Sequence, residues 1–371
     1  MFRNLKFDPI PCRTSFEIYD MDLSIVNAVR RIIQTDILTV GILGEPAEET
    51  TVMIDENNGP LHNEFLAHRV GLVPIHFPEE EVLAYEDGML HVELDVTHDG
   101  SGIREVTTHD FTVFLQDKQL PPKEAIKYFP ADHVTKSAVL ITKLRTGEKL
   151  KLKATAIKAS GRKHAAFSPV SLCAFFYMQD EGAIAQLEAK GPADILTKER
   201  TYMKNEFGDP SAYVFSVESE NGMSASYLIA EGFQVLMSKL DAARTHFIQR
   251  SDEDETSLIR IAQYKETENT FDITFKNEDD TLGSFMQSLM HNDYVRRKLE
   301  LNDKGLTYAG YYCPHPLDPT MVVRLSFTTE TTIKECEEFI KTALQKMHNH
   351  LNDISNEWKT FALASKLGKK E

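Results

Sequence analysis

One pattern occurs twice in this chain, and it limits the architecture more than any other feature. Phe16-Glu17-Ile18 alternates apolar and charged residues as a half-buried strand does, and the acidic turn Asp20-Met21-Asp22 leads into a helix running through Ile33. Far downstream, Phe271-Asp272-Ile273 alternates likewise, and Glu278-Asp279-Asp280 leads into a helix beginning near Thr281. At about 100° per residue, Ile25, Val26, Val29, Ile32 and Ile33 share one face of the first helix, with Asn27, Arg31 and Gln34 opposite. Leu282, Met286, Leu289 and Met290 sort the same way in the second, with Ser284, Ser288 and His291 turned away. Acids placed just before a helix are first of all N-caps, so the Asp20-x-Asp22 spacing reads as capping rather than as a Mg²⁺ site.

Each copy ends in a long amphipathic helix. Ile229, Phe233, Leu236, Leu240, Ala243 and Phe247 form one apolar stripe; Ile333, Cys336, Ile340, Ala343, Met347, Leu351, Ile354, Trp358 and Phe361 form the other. Such stripes need an apolar partner, and two of them in one chain favour a helix pair. The sequence thus predicts an α+β fold in which two related units join as an intramolecular pseudo-dimer. The expected interface comprises Ile25, Val29, Ile32, Ile229, Phe233, Leu236, Leu282, Met286, Leu289, Ile340, Met347, Ile354 and Trp358. Residues 1–50 and 211–250 form the first unit, discontinuous around an insert domain at 51–210. An acidic linker at 251–257, with no apolar residue, leads to the second unit at 258–371.

The net charge of −16 argues against a surface that grips nucleic acid directly. One stretch runs the other way: from Lys143 to Lys163 there are eight Lys or Arg and only Glu148 opposes them. Lys149, Lys151 and Lys153 alternate along a strand there, presenting either a solvated face or a docking surface for an acidic partner. The four cysteines, Cys12, Cys173, Cys313 and Cys336, form no C-x-x-C pair and suit a reducing compartment. No apolar run reaches the length of a membrane span, and no signal-peptide core opens the chain.

Catalytic signatures fail on geometry. His62 and His68 bracket Glu64, but six residues on a helix separate the two histidines by about 240°. Asp55 to Gly59 hints at a calcium loop, yet Pro60 and Leu66 stand where a glycine and a bidentate glutamate belong. Cys313 and His315 have no second pair at ligand spacing, and no phosphate-binding glycine loop is present. A free-standing metal hydrolase using His62, Glu64 and His68 is the rival from another class. A DNA-binding factor using the basic strand is a third reading.

Several motifs carry a resemblance. Asn27-Ala-Val-Arg-Arg-Ile-Ile33 resembles the first-helix motif of the alpha-like assembly subunits of multisubunit RNA polymerases: bacterial alpha, archaeal D and the third-largest subunit of RNA polymerase II. Leu61-His-Asn-Glu-Phe-Leu-Ala-His-Arg-Val-Gly-Leu-Val-Pro-Ile75 is similar to the opening of their insert domain, and Gly161-Arg-Lys-His-Ala-Ala-Phe-Ser-Pro169 to a later segment of it. Phe275-Lys-Asn-Glu-Asp-Asp-Thr-Leu-Gly283 and Tyr308-Ala-Gly-Tyr-Tyr-Cys-Pro-His-Pro-Leu317 resemble the eleventh subunit and archaeal L. The chain departs from the family at Leu38, where relatives often have Pro, and at Asp280, where His often stands. With Cys173 alone in the insert, the cysteine-rich metal loop of many relatives is expected to be absent.

The resemblance implies a non-catalytic platform that docks the two largest polymerase subunits and small subunits, with the face bearing Asn27, Arg30 and Arg31 on a large subunit; Lys149, Lys151 and Lys153 join the expected docking residues on their alternating charge. It implies no cofactor on this chain, with the catalytic Mg²⁺ on the largest subunit, and contact with DNA and RNA only through the complex. No homodimer is required and no membrane is involved. His68, Arg69 and His164 are expected to satisfy buried polar groups. A fused pair resembles the arrangement in large nucleocytoplasmic DNA viruses. That implies the cytoplasm of an infected host cell, at the viral factory, with the virion and the nucleus also open.

Overall fold

The computed structural model describes residues 1–8, 13–132, 135–191, 194–249, 257–297 and 305–367. Of the expected linker, all but Ser257 lies outside them, as does Cys12.

The first unit opens with the antiparallel strands β1 (Phe2–Asp8) and β2 (Arg13–Tyr19), followed by helix α1 (Leu23–Thr35). Asp22 is the N-cap of α1, its carboxylate accepting the Ser24 N–H at 2.8 Å. That contact satisfies one of the N–H groups a helix start leaves orphaned.

Strand β3 (Leu38–Ile42) leads into the insert, which contains β4 (Val52–Asn57), α2 (Asn63–Gly71), β5 (Leu90–His98) and β6 (Ile103–Thr107). Then come β7 (Thr112–Leu115), β8 (Lys118–Gln119), α3 (Pro122–Tyr128), β9 (Leu140–Arg145) and β10 (Glu148–Ser160). Strand β10 is the spine. It pairs with β5 along one edge and with β4 and β3 in succession along the other. Leu150, Leu152, Ala154 and Ala156 are buried along it, so the lysines between them point outward, as period-2 alternation requires.

The chain then returns to the first unit through β11 (Val170–Tyr177), α4 (Glu181–Lys190), α5 (Ile195–Glu199), β12 (Ala212–Ser219) and the long helix α6 (Ala225–Gln249). The first sheet runs β1-β2-β12-β11. This corrects the expected boundaries of the insert, because β11 lies within 51–210 yet pairs along β12. Conversely, β3 lies within 1–50 yet extends the insert sheet through β10.

The second unit comprises β13 (Ile259–Gln263), β14 (Thr270–Lys276), α7 (Asp280–Met290), β15 (Leu306–Tyr312), β16 (Thr320–Phe327) and α8 (Ile333–Leu367). Its sheet runs β13-β14-β16-β15. In each unit the strands therefore lie in the order first, second, fourth, third, all antiparallel. The first sheet has this order only because β11 belongs to it. The repeat read in the sequence is a repeat of topology.

Candidate docking faces and the seam between the units

All thirteen residues expected at the interface are buried. Helix α6 packs along α8, and α1 packs against both α6 and α7. The long helices run antiparallel: the Trp358 indole N–H donates to the Ser226 carbonyl at 3.1 Å, and several turns along the pair His348 meets Asp241 at 3.2 Å. Each also reaches the opposite unit's core. Trp358 of α8 packs on Phe16 and Phe2 of the first sheet, at centroid distances of 4.6 and 5.1 Å, and Phe247 of α6 meets Phe275 of the second sheet at 5.9 Å. Trp358 thus does more than fill a helix pair; it closes the other unit's sheet.

The short helices cross antiparallel as well, and polar groups set their register. The Arg31 Nε donates to Thr281 Oγ1 at 2.9 Å, while Ser288 and Asn292 donate to the Asp22 carboxylate at 3.1 and 2.6 Å. Arg31, expected on a free docking face, is therefore committed to the second unit. Arg30 bonds within its own helix, to Asn27 at 3.0 Å and Gln34 at 2.8 Å, leaving these side chains half-buried.

The basic strand is matched across its sheet. Lys149 pairs with Glu56 at 2.9 Å and lies 3.7 Å from Asp95, Lys153 pairs with Glu93 at 2.7 Å, and Lys151 lies 4.0 Å from Asp95. The one-sided lysine pattern does not make a bare cationic strip, because carboxylates on β4 and β5 fall in register beside it.

His62, Glu64 and His68 sit on or before α2 and do not converge. His62 is the residue before the helix, with its ring near Phe65, while His68 turns to Glu45 at 3.6 Å. Among the described residues no group of three His, Cys, Asp or Glu side chains could hold a metal ion. His164 Nδ1 accepts the Ala166 N–H at 3.1 Å, leaving Nε2 to donate to Glu45 at 3.0 Å. Arg69 donates to the carbonyls of Ile141 and Leu140 at 2.8 and 2.7 Å. Arg69 thus meets the expectation of satisfying a buried group, at Ile141, whereas His68 and His164 turn instead to Glu45, whose side chain is 52% exposed.

Periodicity could not reveal one cluster. Arg162, just after β10, bonds Asp36 through both Nε and Nη2 and reaches Asp279 of the second unit at 2.9 Å. Lys239 of α6 adds Glu278 at 3.1 Å and Asp36 at 3.7 Å. Insert, first unit and second unit meet in this network. Burial pushes the Glu278 carboxyl up, with Lys239 opposing. Burial also works against the Asp279 charge, but the Thr281 N–H and Arg162 outweigh it and hold that carboxyl below its usual range. The only sequence signal was the placement of Gly161-Arg162 in the insert segment that resembles known subunits.

Comparison with known proteins agrees with this geometry. A model of the family described as the RNA polymerase Rpb3/Rpb11 dimerisation domain matches residues 15–240, and a second model of the same description matches residues 270–357. Subunit 3 of DNA-directed RNA polymerases II, IV and V from Arabidopsis thaliana is 26% identical, over 62% of this chain and 86% of that subunit. Subunit RPAC1 of human DNA-directed RNA polymerases I and III is 24% identical, over 60% of this chain and 78% of that subunit. The Dictyostelium discoideum RNA polymerase II subunit rpb3 is 27% identical, over 42% of this chain and 50% of that subunit.

Proposed function

The chain belongs to the RNA polymerase Rpb3/Rpb11 dimerisation family, and from that premise we propose that it is a non-catalytic assembly subunit of a multisubunit DNA-directed RNA polymerase. It carries both halves of the pair in one polypeptide. The observation that carries this reading is the doubled unit itself: two sheets of one strand order, each closed by the other's long helix. A prepaired platform presents the outer faces of both units, and the insert, to the large subunits. Catalytic Mg²⁺ and the contacts with DNA and RNA then belong to those subunits, with small polymerase subunits bound alongside.

Of the expected docking residues, Asn27 and Arg30 hold one another on the half-buried face of α1. Lys149, Lys151 and Lys153 contribute as one side of a charge-alternating surface, and Arg31 contributes by fixing the seam. The fused arrangement supports a large DNA virus as the source, with work in the cytoplasm of the infected cell and the virion and nucleus as alternatives for immunolocalisation to separate. Affinity purification of the tagged chain from its source cells, with identification of what comes with it, tests the reading. Near-stoichiometric recovery of the two catalytic subunits is expected. A chain that purifies alone would refute it.

A further inference from the structure

The two ends of the seam are related by pseudo-symmetry and differ, among the described residues, in one bridging contact. Asp22 caps α1 as Asp279 caps α7, and Asp36 stands fourteen residues after Asp22 as Asp293 stands fourteen after Asp279. Because α1 and α7 cross antiparallel, each end of the seam turns one cap aspartate toward an aspartate past the other helix's end: Asp36 is the C-cap of α1, and Asp293 lies in the π-helical turn His291–Arg296 that follows α7. One end has Asp36 with Asp279; its twin has Asp293 with Asp22. The lysines correspond in sequence position, although of the two only Lys239 makes an ion pair among the described residues. Lys239 stands six residues after Phe233 and lies 3.7 Å from Asp36, while Lys346 stands six after Ile340 and its charge acts on Asp293.

At the first end a guanidinium completes the set, since Arg162 bridges Asp36 and Asp279. It comes from the insert, which only the first unit has. At the twin end lies a groove of about 910 Å³ between the units. Four carboxylates, Asp20, Asp22, Asp209 and Asp293, line it against Arg296 and Arg297. Arg296 is taken by Asp209, and Arg297 meets Asp293 at 3.7 Å from the next turn of its own segment. Among the described residues, Asp22 has only neutral donors: Ser24, Ser288 and Asn292. Burial, with the Asp22 charge adding to it, holds the Asp293 carboxyl above its usual value despite Arg297, His350 and Lys346. The exposed ring of Tyr308 stands at the groove, while the ring of Phe207 is faced by Arg296 and Arg297, each 5.9 Å from its centroid.

We propose that this groove is a docking site for a segment of another polymerase subunit that presents an arginine to Asp22 and Asp293, as Arg162 is presented to Asp36 and Asp279. Arginine rather than lysine fits, because its planar fork can bridge two carboxylates as Arg162 does at the twin end, and it stacks on aromatic faces. The occupant is another subunit by the assembly reading, on which this inference rests. The Arg162 end supplies the chemistry, and the groove continues the same interface between the units.

The test uses the polymerase purified with the full chain in place. A photoactivatable benzoylphenylalanine at Tyr308, which is 51% exposed, is expected to crosslink to another subunit within a few residues of an arginine. Asp22→Asn with Asp293→Asn should cut that yield about ten-fold, the effect of one lost charge-assisted contact. Asn still caps α1, and Asp293→Asn alone leaves the cap untouched should the double variant melt early. Crosslinks confined to this chain, crosslinks between two copies of it, or a yield the variants leave unchanged would each overturn the proposal while co-purification stands. Loss of the polymerase subunits from unmutated material would instead overturn the assembly reading and this site with it.

Discussion

A β-carbon on Gly161 would stand 2.5 Å from the Gln34 carbonyl oxygen and 3.1 Å from the Thr35 Cα, both backbone atoms that cannot swing aside. Next to it the Arg162 N–H donates to the Thr35 carbonyl at 2.9 Å, so the insert is pressed onto the end of α1. Gly161→Ala is expected to cost about 1–3 kcal/mol by forcing that contact apart. By contrast Gly182→Ala, in α4 with only the Asp180 side chain at 3.4 Å, should be neutral or gain up to about 1 kcal/mol. Thermal melts of both variants check the pair; equal effects would show that the close approach does not matter. Glu278 makes a pH prediction at the same junction. Folding raises its carboxyl above the ordinary value, chiefly through burial, so the folded chain binds that proton more readily than the unfolded one. Its contribution therefore improves as pH falls through the window between the two values and worsens as pH rises through it. Asp279, held low, contributes above its ordinary value and loses that only in stronger acid. Glu278→Gln should melt higher than the parent at neutral pH, with the advantage shrinking in mild acid. An advantage that grows in acid would reverse the assignment.

Trp358 shows what a helix does beyond its own unit. Its ring is 1% exposed, and it lies in α8 while its aromatic neighbours Phe2 and Phe16 lie on β1 and β2. Trp358→Ala is expected to cost about 3–5 kcal/mol. Hydrogen exchange should locate the loss in β1 and β2 rather than in the second sheet. Protection lost only around β13 to β16 would mean that the units fold independently. The helices were legible in the sequence because an amphipathic stripe is a local signal: Ile229 to Phe247 and Ile333 to Phe361 mark their buried faces at fixed spacing. The strands that cross between domains were not. Strand β11 is apolar at every position but Ser171, so it offers no alternation to read, and nothing local says that its partner is β12 rather than its neighbours in the insert. The docking faces were half legible. Helical angle placed Arg31 away from the apolar stripe correctly, but it could not show that Thr281 stands there. Alternation placed Lys149, Lys151 and Lys153 on one face, yet their carboxylate partners lie on strands far away in sequence.

At the scale of the whole molecule the question is whether one covalent link or the interface holds the units together. Asp252 to Glu255 are four consecutive acids between two apolar-striped units, a sequence with nothing to bury. A tether of that length sets an effective concentration on the order of millimolar, which fixes one-to-one stoichiometry and speeds pairing. It supplies no holding energy. That comes from four helices with continuous buried faces, from Trp358 and Phe247 seated in opposite sheets, and from Arg31, Asp22 and the Arg162 network across the seam. Interfaces of this obligate, largely apolar kind run to about 2,000 Å² and beyond. A protease site engineered inside Asp252 to Glu255 should therefore yield two fragments, about two thirds and one third of the chain, that co-elute on gel filtration. They should separate only in denaturant, and a cut sample should still recruit the catalytic subunits as the intact chain does. Adding Ile340→Asp and Met347→Asp places two charges at positions 2% and 5% exposed, several kcal/mol against pairing. The cut double variant should then part into its fragments while the insert keeps its exchange protection. Fragments of the unmutated chain that drift apart after cleavage would show that the link, and not the seam, makes this molecule one platform.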